Sequence, residues 1–147
     1  MKLVKDLPTK SRTFTIMLFV FALFLIAVPA LANSQNWSFI MDQRYLRGID
    51  RSMTKGAMTN GGDIWIYNKL VGAGGSFDVH INVRQNIPIL PDPLLCSTVI
   101  NPGTKINVKK RFSMNCGRVN AGNYYLEIWK AEVDGYQIKG SGILTTR

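Results

Sequence analysis

The segment Phe77-Asp-Val-His-Ile-Asn-Val-Arg84 alternates strictly between apolar and polar side chains. A period of two is typical of a β-strand that buries one face and exposes the other to solvent. The apolar members should therefore lie in a core, and the polar members should share a solvated face. That face comprises Asp78, His80, Asn82 and Arg84.

Shorter alternating runs occupy residues 63–67, 105–112 and 124–129, and we predict a strand at each. Residues that favour turns separate the runs. They are Asn60-Gly61-Gly62, Gly72-Ala73-Gly74-Gly75, Asn101-Pro102-Gly103, Asn120-Ala121-Gly122 and Asp134-Gly135. The last of these indicates a hairpin between the strands around Trp129 and Ile138.

Residues 87–93 read Ile-Pro-Ile-Leu-Pro-Asp-Pro. Because proline donates no backbone hydrogen bond, this segment cannot be a central strand. We expect an ordered surface loop that carries the chain from one sheet to the other and leads to Cys96.

Beyond residue 32, no segment repeats apolar residues at helical spacing. The sequence therefore predicts an all-β fold, a single antiparallel β-sandwich of Greek-key or jelly-roll-like type over residues 33–147. It should contain seven to nine short strands. A small closed barrel is the alternative.

Residues 1–32 have the organisation of a secretory signal peptide. Four basic residues precede an apolar run at 16–28, and Pro29-Ala30-Leu31-Ala32 follows it. We expect cleavage after Ala32, so that the β-domain is secreted and acts outside the cytoplasm. An uncleaved membrane anchor is the alternative, because the run approaches the roughly 20 residues of a spanning helix. The long, lysine-rich start is typical of a Gram-positive bacterium.

The chain is basic, with a net charge of +9. Without the four basic residues and one acidic residue of the predicted signal peptide, the net charge is +6. Such a charge attracts anionic polymers without specifying one, and it also serves solubility. We expect the partner to be an anionic cell-envelope polymer or another protein.

Cys96 and Cys116 are the two cysteines of the chain, and both lie in the part predicted to be exported. Disulfides form and persist outside the cytoplasm, so we predict that these two residues are bridged. Two thiols and His80, the single histidine, are too few for a metal site. We expect no metal and no cofactor.

The sequence offers little for catalysis. A small basic nuclease would need a histidine or carboxylate pair beside cations, here His80, Glu127 and either Arg84 or Arg111. Sequence spacing does not bring these residues together, and the chain has no Gly-x-Ser-x-Gly motif or phosphate-binding glycine loop. We therefore assign no catalytic residue. The alternative to a general acid or base at His80 is a histidine that is simply exposed on its strand.

Lys109-Lys110-Arg111 is the densest run of positive charge. Alternation places Lys109 and Arg111 on one face with Lys105, and Lys110 on the other. We predict that Lys105, Lys109 and Arg111 contact a polyanion; the alternative is that they protect an edge strand from aggregation.

Several aromatic residues are either core or a stacking platform for sugars or bases. They are Trp37, Trp65, Tyr67, Tyr125, Trp129 and Tyr136.

The C-terminal third contains Tyr124-Tyr-Leu-Glu-Ile-Trp-Lys130, Asp134-Gly135 and Gly140-Ser-Gly-Ile-Leu144, and Trp37-Ser38-Phe39 opens the predicted domain. Together these residues resemble the YolA-like small secreted proteins of Bacillus-type bacteria. The resemblance implies a secreted β-domain. It implies no activity, so no site residue is carried over from it.

We expect a secreted, non-enzymatic binding or interaction protein that acts at a cell envelope or as an antimicrobial or toxin-like factor. The alternative is a small secreted hydrolase such as a nuclease.

Overall fold

The computed structural model describes residues 32–75, 77–131 and 134–147. The predicted signal peptide, except Ala32, lies outside these ranges and stays a prediction. The described residues form nine strands and no helix. The strands are β1 (Asn33–Met41), β2 (Tyr45–Arg47), β3 (Arg51–Met53), β4 (Gly56–Lys69), β5 (Val79–Asn86), β6 (Leu94–Ile100), β7 (Lys110–Val119), β8 (Gly122–Lys130) and β9 (Tyr136–Thr146).

The strands form two antiparallel sheets. Sheet A has the order β1-β9-β4-β7, and sheet B has the order β2-β8-β5-β6, with β3 also paired to β8. Within the described ranges the sheets do not close into a barrel. The predicted all-β sandwich is therefore confirmed over the barrel alternative.

The core lies between the two sheets, where the alternating residues of the sequence meet. Val79, Ile81 and Val83 of β5 are fully buried, as the strict alternation predicts. The prediction that Asn82 is solvated is wrong, because Asn82 is buried beside Glu127 and Arg84. Residues 124, 126 and 128 of β8 are also buried on the neighbouring strand. Each such side chain contributes about 1.5–3 kcal/mol by leaving water.

The turn predicted at Asn60-Gly61-Gly62 is wrong, because these residues lie inside β4. Gly62 of β4 pairs with Gly142 of β9, and the indole of Trp37 lies directly over both. A Cβ atom at either glycine would overlap with that ring. The two glycines therefore serve close packing within a strand rather than chain reversal.

Two connections differ from their predictions. The proline-rich loop at residues 87–93 joins β5 to β6 within sheet B, and the chain crosses between sheets after β6 instead. Asp134-Gly135 is not a hairpin turn, because it lies between β8 of sheet B and β9 of sheet A. A turn sequence specifies a change of chain direction, but it does not specify which strands pair.

The strand predicted from residue 105 begins only at Lys110. Asn107 has a φ of 62°, which interrupts an extended chain, and its backbone N–H donates to the carbonyl of Ile66 at 2.8 Å. Ile106 and Val108 consequently stay 46% and 40% exposed. Their alternation was not a sign of burial.

The predicted disulfide between Cys96 and Cys116 is present. Cys96 lies in β6 and Cys116 in β7, so the bridge ties sheet B to sheet A along one edge of the sandwich. The two residues are separated by 20 positions, and closing a loop of that length stabilises a fold by about 3 kcal/mol in the chain-entropy view.

Candidate functional site

The outer face of sheet B, turned away from the core, carries a polar and aromatic cluster. The register pairs His80 with Trp129, Asn82 with Glu127, and Arg84 with Tyr125, and β2 adds two residues beside β8. Because side chains alternate along each strand, these residues emerge on one side. We call this set the sheet-B face: Tyr45, Arg47, His80, Asn82, Arg84, Tyr125, Glu127 and Trp129.

Glu127 lies at the centre of the sheet-B face, with only 15% of its side chain exposed. Its Oε2 accepts hydrogen bonds from Asn82 Nδ2 and Arg84 Nε, each at 2.7 Å. Its Oε1 accepts a longer bond of 3.3 Å from the Tyr45 hydroxyl. The carboxylate is thus held in one orientation by three donors from two strands.

These contacts shift the titration of Glu127. Burial acts to raise its pKa, but the hydrogen bonds from Asn82 and Arg84 and the charge of Arg84 outweigh that effect, so the pKa is lowered. The hydrogen bond to Glu127 also raises the pKa of Arg84. Glu127 is therefore an ionised, well-bonded carboxylate at neutral pH.

An aromatic pair stands next to this network. The rings of His80 and Trp129 stack with centroids 3.7 Å apart and planes 6° apart. The other face of the indole has no ring partner among the described residues. Trp129 lines an open cleft of about 640 Å³, and Tyr45, Arg84 and Glu127 line it as well. The cleft therefore combines an aromatic surface with fixed hydrogen-bonding groups.

The end of the sheet-B face near the proline-rich loop is held rigidly. The Arg47 guanidinium lies 3.8 Å from the centre of the Tyr125 ring. The Tyr125 hydroxyl donates to Asp92 Oδ2 at 2.8 Å, and the other Asp92 oxygen accepts from the backbone N–H of Ile87. The backbone hydrogen bond and then the Tyr125 bond lower the pKa of Asp92. The loop is thus fastened to the strand that carries Glu127.

The outer face of sheet A is built differently. Lys109 Nζ lies 5.0 Å from the centre of the Trp65 ring, and Lys139 Nζ lies 4.4 Å from the centre of the Tyr67 ring. Arg111 pairs with Asp63 at 3.2 Å, while 85% of its side chain remains exposed. We call this set the sheet-A face: Asp63, Trp65, Tyr67, Lys109, Arg111 and Lys139.

The three predicted polyanion contacts are all exposed. Lys109 and Arg111 belong to the sheet-A face, and Lys105 lies in the connection between β6 and β7. Sequence reasoning missed Lys139, which the register places opposite Trp65. Its position beside Trp65 depends on the pairing of β4 with β9, which no local pattern encodes.

The residues considered for a nuclease site do not all lie on the same sheet. His80, Glu127 and Arg84 share the sheet-B face, whereas Arg111 lies on sheet A. Of the candidate stacking aromatics, Trp37, Tyr125 and Tyr136 are buried, and Trp65, Tyr67 and Trp129 are half-buried on outer faces.

Across the described part of the chain, no cluster of three or more histidine, cysteine, aspartate or glutamate residues has the arrangement of a metal site. In the same residues no helix is long and apolar enough to cross a membrane.

No family model and no curated protein matches the chain. Among solved structures it is similar to TmCBM61 in complex with β-1,4-galactotriose, with 6% identity over 80% of this chain and 89% of that chain and a TM-score of 0.46. A protein from Sulfurospirillum deleyianum is 8% identical over 77% of this chain and 98% of its own, with a TM-score of 0.42. A structure of infectious bursal disease virus, Gt strain, is 11% identical over 79% of this chain and 32% of the viral chain, with a TM-score of 0.45. Such values are too low to carry a function over to this chain, and the resemblance to YolA-like proteins stays a prediction.

Proposed function

We propose that the protein is a non-enzymatic binding protein whose ligand is a glycan, held in the cleft of the sheet-B face. The observation that carries this proposal is the placement of the Trp129 indole, braced by His80 at 3.7 Å, beside the hydrogen-bonded carboxylate of Glu127.

Sugar rings present apolar C–H faces and a rim of hydroxyl groups. An indole offers a flat apolar surface for the first, and carboxylate, amide and guanidinium groups offer acceptors and donors for the second. Glu127, Asn82 and Arg84 hold one another in place before any ligand arrives. Little side-chain entropy is then lost on binding, which favours affinity.

The signal-peptide pattern of residues 1–32 supports action outside the cytoplasm, where envelope glycans are accessible. A role at the producer's own envelope and an antimicrobial role on a competitor's both fit this location. The net positive charge would assist the approach to an anionic envelope without selecting the sugar.

The test is cosedimentation of the purified chain with insoluble peptidoglycan, chitin and cellulose. We expect at least one to retain the protein, and Trp129→Ala to weaken that retention roughly tenfold or more, since stacking on one ring is worth about 1–3 kcal/mol. Trp65→Ala is the matched control, because Trp65 is a half-buried tryptophan on the other outer face. Equal loss in both variants, or no retention by any polymer, would contradict the proposal.

A hydrolase is the second candidate, and one observation favours it: His80, Glu127 and Arg84 lie on the same face. Against it, both oxygens of Glu127 accept hydrogen bonds and its lowered pKa makes it a weak base. Incubation with RNA, DNA and the same polysaccharides separates the candidates. We expect no turnover; turnover that His80→Ala abolishes would replace binding with catalysis.

A further inference from the structure

The two edges of the sandwich differ. Along one edge the disulfide joins β6 to β7 and ties the sheets together. Along the other, β1 of sheet A faces β2 and β3 of sheet B. There Asn33 Nδ2 donates to the carbonyl of Ser52 at 3.0 Å, which links β1 to β3. Alongside β2 and residues 48–50 a cleft lies between the sheets.

We call this opening the lateral cleft. It has a volume of about 310 Å³, and most of its lining is apolar. The apolar side chains are Trp37, Phe39, Leu46, Ile49, Leu126 and Ile128. Pockets for small ligands start at about 300 Å³, so the space suits one slender ligand rather than a bulky one.

Two charged residues line the lateral cleft, and both are arginines. Arg47 is already occupied, since it pairs with Asp50 at 2.9 Å and stacks on Tyr125. Arg51 is half-buried, and its guanidinium has no hydrogen bond or ion pair with any residue that the structure describes. A guanidinium in that setting provides up to five unused donors for a carboxylate or phosphate.

We propose that the lateral cleft binds a single-chain amphiphile with an anionic head group, its alkyl chain between the sheets and its head group on Arg51. The apolar lining would contact the alkyl chain, and Arg51, which has no ion-pair partner among the described residues, would bind a negatively charged head group. Fatty acids and alkyl phosphates share this chemistry. The lateral cleft shares Arg47 with the sheet-B face but none of the residues that line the cleft beside Trp129 and Glu127, so this proposal can be tested independently of glycan binding.

The probes are dodecanoate, dodecyl phosphate and dodecyltrimethylammonium, each titrated into the purified chain below its micelle concentration. Calorimetry gives the affinity, and tryptophan fluorescence of a Trp65→Phe, Trp129→Phe variant, which retains only Trp37, gives a second measurement from the cleft. We expect the anions to bind and the cation to bind at least roughly tenfold more weakly, because only an anion forms charge-assisted bonds with Arg51. The tighter of the two anions identifies the head group.

Arg51→Gln should lower the affinity for dodecanoate roughly tenfold or more, while Arg118→Gln, an exposed arginine on β7, should leave it unchanged. Ile49→Asp should also weaken binding. Ile49 is 71% exposed, so folding should tolerate the change, and Ile143→Asp is its control on another surface. The proposal is overturned if dodecanoate does not bind, if Arg51→Gln binds it as tightly as the wild type, or if the cationic probe matches the anions.

Discussion

The two outer faces of the sandwich carry similar residues but differ in how far their ion pairs are buried. Each carries a half-buried tryptophan and an arginine paired with an acidic residue. On the sheet-B face the acid is Glu127, 15% exposed, and its partner Arg84 is 28% exposed. On the sheet-A face Arg111 is 85% exposed beside Asp63. Since water screens exposed charges, the ion pair on the sheet-B face should hold its side chains in place, whereas the ion pair on the sheet-A face should leave its side chains free to move.

The sharpest test of this difference is a pair of isosteric substitutions. Glu127→Gln removes the charge that balances a partly buried Arg84, and it should lower the free energy of unfolding by about 2 kcal/mol. Asp63→Asn removes the partner of an exposed arginine and should cost at most about 0.5 kcal/mol. Urea denaturation of both variants measures the two values. Equal losses of unfolding free energy would mean that the burial of the two ion pairs does not affect their contribution to stability.

The pH dependence of stability should follow the sheet-B face. The folded state lowers the pKa of Glu127 below its ordinary 4.5, so its stabilising contribution is complete above that value. The contribution is lost as the pH falls through the lowered folded pKa. Glu127→Gln should therefore flatten the stability curve below about pH 4.5.

Asp92 should contribute to the same loss of stability at low pH, because its pKa is also lowered. Asp92→Asn together with Glu127→Gln should flatten the curve further than either change alone. Urea midpoints measured from about pH 3 to about pH 7 check this. If the double variant lost as much stability at low pH as the wild type, other carboxylates would be responsible for that loss.

Binding of a polyanion should depend more on the cations near sheet A than on Arg84 of the sheet-B face. Neutralising Lys105, Lys109 and Arg111 to glutamine should weaken binding to duplex DNA, used as a polyanion probe, roughly tenfold at low salt. Each phosphate neutralisation that is removed should lower the salt slope by about 0.9. Arg84→Ala should change binding much less, because that guanidinium is committed to Glu127. If both variants bind equally, or if binding ignores salt, these cations serve solubility and edge protection.

Strand-level features were predictable from the sequence because they are local. The period of two in β5 and the even cysteine count predicted the buried strand and the bridge that the structure contains. The glycine pair at 61–62 was misassigned, since Gly62 serves contact with Trp37, a residue of a different strand that is distant in the chain.

The sites depend on pairing between distant strands and were less predictable. Nothing local places Glu127 beside Arg84 or Lys139 beside Trp65, since the members of each pair belong to strands that are far apart in the chain. The lateral cleft is lined by residues of β1, of β8 and of the segment 46–51, and that segment contacts β8 through the pairing of β2 and β3. Short strands of three residues carry too little pattern to be recognised in a sequence.

The smallest effect concerns the cation over Trp65. Lys109→Gln keeps most of the side chain but removes the charge 5.0 Å from the indole centre, and it should cost about 0.5 kcal/mol of stability, as expected for an exposed cation–π contact. Lys110→Gln is the control, since Lys110 is the exposed neighbour without a ring contact among the described residues. Thermal unfolding at low and at high salt should show the difference shrinking as salt screens the charge.

Two outcomes of that comparison would change the account of the sheet-A face. A loss of about 2 kcal/mol in Lys109→Gln, matching that expected for Glu127→Gln, would make the sheet-A face as fixed as the sheet-B face and would remove the contrast between them. No difference between Lys109→Gln and Lys110→Gln would instead mean that Lys109 is free to leave the ring, which is the behaviour required of a side chain that must reach a polyanion.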